Sequence, residues 1–335
     1  MSAQSRPARK IAVEEAFATQ PQMQALKKAA DAYDGGVDAD LVLAKHQTAG
    51  GEMTISLLDI EGRRLELMDE AGIDMALLLL TAPGVQPFDA REGVDIARRA
   101  NDEIAATVAR HPTRFAALTA IAPQAPAEAA KEIERGMREL GMKGVVINSH
   151  TNGEYLCEDK YAPILEAAEA LDAPIYIHPR APIPDMAKAY LPDNLSHAIW
   201  GFQAETGLHG LRLITGGVFD RFPKLKIVLG HAGEGLPFWL DRIDYMHAKP
   251  RGRRELKHTP GHYIRNNFWV TTSGMNWNNQ IKFLIDQLGS DRIMFAADYP
   301  YQIMKEETAC LDAAPISEAD REAIYCRTAE AVFRL

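Results

Sequence analysis

The chain has 335 residues, of which 47% are hydrophobic and 25% charged, and its 37 Lys and Arg against 46 Asp and Glu give a net charge of −9. That balance belongs to a folded globular protein rather than a disordered one, and it offers no general attraction to nucleic-acid phosphates or anionic lipid. The longest purely aliphatic stretch, Ala76 to Leu80, is far too short to span a bilayer, so neither a membrane nor a nucleic acid is an expected partner.

Residues 1–9 are polar, lack the apolar core of a secretory signal, and are expected to form a flexible N-terminus ahead of one domain over 10–335. Cys157, Cys310 and Cys326 are odd in number and widely spaced, which fits reduced thiols and a cytoplasmic location. The first β-rich run is Ile11 to Glu14. A long insertion follows at 20–56, with glycine pairs Gly35-Gly36 and Gly50-Gly51. Further runs are Met75 to Thr81, Phe115 to Ile121, Gly144 to Ser149, Pro174 to His178, Lys226 to His231, Phe268 to Ser273 and Ile293 to Asp298. Most are continuously apolar, as parallel strands covered on both faces require.

Between these runs the apolar residues recur at helical spacing: Val94, Ala97, Ile104 and Val108, then Ile133, Met137 and Leu140, then Ile281, Leu284, Ile285 and Leu288. Gly72, Gly141 and Gly289 stand where such helices should end. Ser317, with Asp320 three residues on, suits the N-cap of the last helix. A second insertion, Pro179 to Pro192, is rich in proline. Eight strand-helix alternations predict an α/β fold, a single-domain (β/α)₈ TIM barrel with long βα-loop insertions. The runner-up, a doubly wound sheet, would normally carry a glycine-rich phosphate loop after its first strand, and none follows Glu14.

Polar residues interrupt the runs at their carboxyl ends: Glu14, His178, His231 and Asp298. In a closed barrel these ends share one mouth, where barrel enzymes place their catalytic groups. Singly, each has a structural reading, a satisfied histidine or a capping carboxylate. Together they are harder to explain, because carboxylates converging in a barrel mouth repel one another unless a cation joins them. Their oxygen and nitrogen donors suit Zn²⁺ or Mn²⁺.

The stretches Val13-Glu14-Glu15-Ala16-Phe17-Ala18, Ile177-His178-Pro179, Gly230-His231-Ala232-Gly233-Glu234 and Asp298-Tyr299-Pro300 resemble the motifs of the decarboxylase branch of the amidohydrolase superfamily. Thr81-Ala82-Pro83-Gly84-Val85-Gln86 and Asn148-Ser149-His150-Thr151 belong to the same resemblance, which runs nearly end to end. Members of that branch remove CO₂ from hydroxylated aromatic acids such as 5-carboxyvanillate, 2,3-dihydroxybenzoate and γ-resorcylate. The Asn-Ser-His-Thr and Asp-Tyr-Pro-Tyr stretches are most similar to the 5-carboxyvanillate type, whereas His178-Pro179-Arg180 is more like the dihydroxybenzoate and resorcylate types.

The resemblance implies one divalent metal ion per subunit, Mn²⁺ or Zn²⁺, held by Glu14, His178 and Asp298. It implies that His231 and Glu234 act beside it and that Arg180, Arg242 and Tyr301 bind substrate. Ala16 stands where many superfamily members have a second strand-one ligand, a replacement shared by this branch. An aromatic acid is the implied partner, and a homodimer or homotetramer the implied assembly. On this reading Asp298 protonates the carboxyl-bearing ring carbon before CO₂ leaves, with His231, oriented by Glu234, assisting. Two alternatives share the fold: a metal-dependent hydrolase of a lactone or amide, and an inactive ligand-binding barrel. Arg242 could equally pair with Asp241 or Asp244, and Tyr301 could be packing. His150 and His209 read as structural, and Trp200, Phe202, Trp239 and Trp277 as core filling ahead of pocket wall.

Overall fold

The computed structural model describes residues 9–35, 38–249 and 254–335, so the expected flexible N-terminus falls outside it except for residue 9. The predicted runs appear as nine strand segments: β1 (Ile11–Phe17), β2 (Met75–Leu80), β3 (Phe115–Ala117), β4 (Thr119–Ala120), β5 (Val145–Asn148), β6 (Ile175–His178), β7 (Ile227–Leu229), β8 (Phe268–Thr271) and β9 (Ile293–Met294). All neighbours pair in parallel, in the orders β1-β2-β3 and β4 through β9.

The third run is split at Leu118 because it changes partners there. Leu118 N–H donates to Leu78 O at 2.9 Å, and Thr119 N–H to Gly144 O at 2.8 Å, joining the two sheets through one stave. At the other seam Val13 N–H donates to Phe295 O at 3.0 Å and Ala16 N–H to Tyr299 O at 2.9 Å. These bonds close eight staves into a TIM barrel. Every residue of β1 and β2 is buried, as expected where strands are covered on both sides. No helix among the described residues is long and apolar enough to cross a membrane.

The expected helical stripes lie in the helices Ala90–Arg110, Pro126–Arg138 and Asn278–Leu288, with Leu140 just beyond the second. Gly72 and Gly141 take left-handed φ values of 69° and 70°, and Gly289 has φ 89°. Ser317 Oγ accepts Asp320 N–H at 3.1 Å, as an N-cap should. The described part of the first insertion is largely helical, with helices Gln20–Asp31, Ala39–Gln47 and Glu52–Leu58. The second carries a short helix at Pro184–Ala187. Both lie after strand carboxyl ends, on the side of the barrel where Glu14, His178, His231 and Asp298 converge.

Candidate metal centre

Glu14 owes its aim to a break in strand register. Between Ala12 and Glu15 β1 slips relative to β2, and such a bulge turns a side chain out of simple alternation. The Glu14 carboxyl is fully buried. Its Oε2 accepts Thr271 Oγ1 at 2.8 Å and a shorter bond from Ser273 Oγ. Its Oε1 has no hydrogen-bond partner among the described residues. Gly230 explains how the carboxylate fits, because a Cβ there would stand 2.6 Å from Oε1.

His178 ends β6 in ordinary register, opposite Asn148. Its Nδ1 lies 2.8 Å from Pro179 O, which fixes the proton on that nitrogen and leaves the Nε2 lone pair directed inward. Nε2 is 3.9 Å from Glu14 Oε1. His231 follows β7 in a turn of left-handed residues, with φ 46° at His231, 60° at Ala232, 76° at Gly233, 54° at Glu234 and 79° at Gly235. L-residues resist that conformation, so the turn is held by its surroundings. His231 Nδ1 meets Glu234 Oε1 at 2.8 Å, and its Nε2 lies 3.6 Å from Asp298 Oδ2. Asp298 itself has φ 59°.

The four residues therefore meet, although β1 runs on to Phe17 and Glu14 lies inside it, not at its expected carboxyl end. Within this group one donor atom each from Glu14, His231 and Asp298 lie within 4.8 Å of one another. Burial alone would raise the pKa of Glu14, but His231, His178 and the Ser273 and Tyr176 hydroxyls hold it below the usual carboxylate value. Burial raises Asp298, with the Glu14 charge adding to it and His231 opposing. For His231 burial works downward, yet Glu234, Glu14 and Asp298 hold the imidazole well above its ordinary value. Burial dominates at His178 and pushes its pKa down. An uncommitted, fully buried carboxylate oxygen facing an imidazole lone pair is a donor set made for a cation.

The centre forms part of the wall of a cavity of about 1000 Å³. Tyr301 and Arg242 also line it, as do Trp200, Phe202 and Trp239. Trp200 and Trp239 are 56% and 50% exposed, so they wall the pocket and do not fill the core; Trp277, 58% exposed, does neither. Tyr301 OH lies 2.5 Å from Thr81 Oγ1 and accepts from Gln47 Nε2 at 3.3 Å; burial pushes its pKa up to about 12. Arg242 is exposed, on the helix Leu236–His247, and makes no ion pair with Asp241 or Asp244 among the described residues.

Arg180 lies elsewhere. It is buried and absent from the cavity lining, with Nε 2.8 Å from Asp40 Oδ2, Nη2 closer still, and Nη1 donating to His150 O at 2.8 Å. His150 and His209 are bonded within the fold, to Ala181 O and to Ser149 Oγ with Leu156 N–H, and burial holds their pKa values down to about 2 and about 3. Sequence reasoning missed Thr271 and Ser273, although the hydroxyl-rich Thr271-Thr272-Ser273 closes a predicted run. It also missed Asp40 and Gln47, whose insertion gives no motif.

Comparison with known proteins agrees with this geometry. The amidohydrolase family pattern matches residues 56–335. A gamma-resorcylate decarboxylase of Polaromonas sp. is 40% identical over 299 residues, covering 85% of this chain and 90% of that protein. The crystal structure of 5-carboxyvanillate decarboxylase from Sphingomonas paucimobilis superposes with a TM-score of 0.95 at 44% identity, covering 98% of this chain and 99% of the other. That of a 5-carboxyvanillate decarboxylase from Novosphingobium aromaticivorans, complexed with manganese and 4-hydroxy-3-methoxy-5-nitrobenzoic acid, gives 0.94 at 42% identity, with 98% and 97% covered. With the barrel, the converging Glu14, His178, His231 and Asp298 and these matches in agreement, the chain belongs to the amidohydrolase family, alongside its aromatic-acid decarboxylases.

Proposed function

We propose that this protein is a divalent-metal-dependent decarboxylase that removes CO₂, without oxidation, from a hydroxylated aromatic acid of the 5-carboxyvanillate or dihydroxybenzoate type. The observation that carries the proposal is the free Oε1 of Glu14, fully buried beside the inward Nε2 of His178 and within reach of His231 and Asp298. The relatives' activities and the manganese in a neighbouring structure support it.

Glu14, His178 and Asp298 are the residues assigned to Mn²⁺ or Zn²⁺. His178 suits the task because its Nδ1 proton is tied to a carbonyl. A bound ion of this kind would supply Lewis-acid chemistry towards the anionic oxygens of the substrate. Loss of CO₂ straight from the ring would leave an aryl carbanion. Protonation of the carboxyl-bearing carbon first avoids it, and Asp298, whose pKa burial raises, is the acid. The C–C bond then breaks, its electron pair restores aromaticity, and the Asp298 carboxylate regains its proton from the His231 side. Glu234 orients His231 for that transfer through the 2.8 Å contact at Nδ1.

Arg242, the arginine of the cavity wall, holds a substrate oxygen or second carboxylate by charge-assisted hydrogen bonds, and Tyr301, on the same wall, contacts the substrate as well. Arg180 is committed to Asp40 and has no part in this. The exposed Phe238, Trp239 and Tyr245, at 69%, 50% and 62%, favour assembly into a homodimer or homotetramer.

The direct test is CO₂ release from 5-carboxyvanillate, 2,3-dihydroxybenzoate and γ-resorcylate by Mn²⁺-loaded protein, before and after chelation. Activity with at least one acid, lost on chelation and restored by metal, is expected. Asp298→Asn should reduce kcat by about 10²–10⁴-fold, the usual worth of a positioned proton donor. Undiminished turnover in that variant would remove Asp298 from the role of acid.

A further inference from the structure

Next to Glu14 stands a second buried carboxylate that the reaction leaves unused. Glu15 is fully buried, and its oxygens reach across the closing seam of the barrel. Oε1 accepts Ala297 N–H at 2.9 Å and Oε2 accepts Tyr299 N–H at 3.2 Å. These are the amides on either side of Asp298. The bulge in β1 interrupts regular pairing there, and the side chain takes the place that strand carbonyls would fill.

The clamp has a backbone to hold. Asp298 sits at φ 59°, a left-handed conformation that an unsupported L-residue gives up readily. Arg64 completes the arrangement from the helix Arg63–Ala71. Fully buried, it donates to Ala16 O at 2.5 Å and lies 4.8 Å over the Tyr299 ring. Its Nε and Nη1 have no hydrogen-bond partner among the described residues, so it supplies positive charge near Glu15 without competing for the oxygens that hold the amides.

Resting on the metal-dependent reading above, we infer that Glu15 is a positioning residue whose two oxygens grip the amides of Ala297 and Tyr299 and so fix the aim of Asp298. Only a carboxyl group brings two oxygen acceptors to this task on one side chain. A glutamine offers a single acceptor, and its NH₂ would face the second amide N–H. Aspartate keeps both carboxyl oxygens but is one methylene too short to span both amides.

The test measures Mn²⁺ binding to metal-stripped protein from the electron paramagnetic resonance of the free ion, in wild type, Glu15→Gln, Glu15→Asp, Asp298→Asn and Glu15→Gln/Asp298→Asn. Loss of a group that orients a metal ligand costs about 10–100-fold in affinity, which is the effect expected for each Glu15 variant. Because Glu15 acts through Asp298, Glu15→Gln should add nothing once Asp298 is Asn. Should Glu15→Gln fail to fold with Arg64 stranded, Glu15→Asp carries the comparison. Wild-type affinity in a folded Glu15 variant, or full additivity in the double variant, overturns the clamp. Wild-type protein that binds no Mn²⁺ overturns the metal reading itself.

Discussion

Replacing Arg180 by Met should damage the fold and leave substrate recognition to Arg242. Arg180 and Asp40 have side chains only 5% and 4% exposed. The Asp40 carboxylate also accepts Ala181 N–H at 3.1 Å, so it ties the helix Ala39–Gln47 to the end of β6. Removing one partner of a buried pair strands the other, a loss of about 3–5 kcal/mol. Burial already outweighs Arg180 in raising the Asp40 pKa, so protonation of the stranded carboxyl relieves part of that loss. Replacing both partners with apolar residues, Arg180→Met with Asp40→Leu, avoids the stranded charge and should recover most of the stability. Arg242→Met, at an exposed site, should leave stability within about 0.5 kcal/mol. It should raise KM by about 10–100-fold, the worth of a charge-assisted hydrogen bond of about 1.5–3 kcal/mol. Urea unfolding of the four proteins, together with steady-state kinetics on whichever acid turns over, separates these effects. An unchanged unfolding midpoint in Arg180→Met, with KM raised as in Arg242→Met, would return Arg180 to the substrate site.

Two further outcomes follow from buried groups nearby. Glu205 is completely buried, neither oxygen has a hydrogen bond of good geometry among the described residues, and burial pushes its pKa from 4.5 up to about 8. The folded protein therefore holds this proton more tightly than the unfolded chain. Its contribution to stability is full below pH 4.5 and is lost as pH rises towards 8, at up to about 1.4 kcal/mol per pH unit. Glu205→Gln should flatten the fall in unfolding temperature between pH 5 and 8, and an identical slope in the variant would refute the assignment. Gly230→Ala should weaken Mn²⁺ binding, since the new Cβ would stand 2.6 Å from Glu14 Oε1 and turn the carboxylate aside. Calorimetric titration giving wild-type affinity would show that Glu14 has room the structure denies it.

The barrel was legible because each stave is covered on both faces, so its sequence is an unbroken apolar run such as the Met75–Leu80 strand. Strand lengths were less legible. The run from Lys226 to His231 contains only Ile227–Leu229 as strand, and the one from Ile293 to Asp298 only Ile293–Met294. The residues past those strands leave the ladder to form the turns that carry His231 and Asp298. Pairings over long separation were not legible at all. Arg180 and Asp40 are 140 residues apart, and neither carries a local pattern that predicts the other. The sequence therefore suggested a substrate contact for an arginine whose partner is a distant aspartate.

Why four residues that all look like strand ends in the sequence differ in the fold comes down to backbone conformation. His178 keeps the register of its strand, and its ring is oriented by the carbonyl of the next residue. Glu14 is aimed by a bulge and seated by hydroxyls from β8 and just beyond it. His231 and Asp298 take positive φ, so their side chains turn back over the barrel mouth and come within 3.6 Å of each other. One trace of this was written in the chain. Gly230, Gly233 and Gly235 fall within six residues around His231: the first leaves room for the Glu14 carboxylate, and the other two take the left-handed turn. That spacing marks a backbone that must pass close to a functional group and reverse at once, which is a stronger statement about His231 than its place at the end of an apolar run.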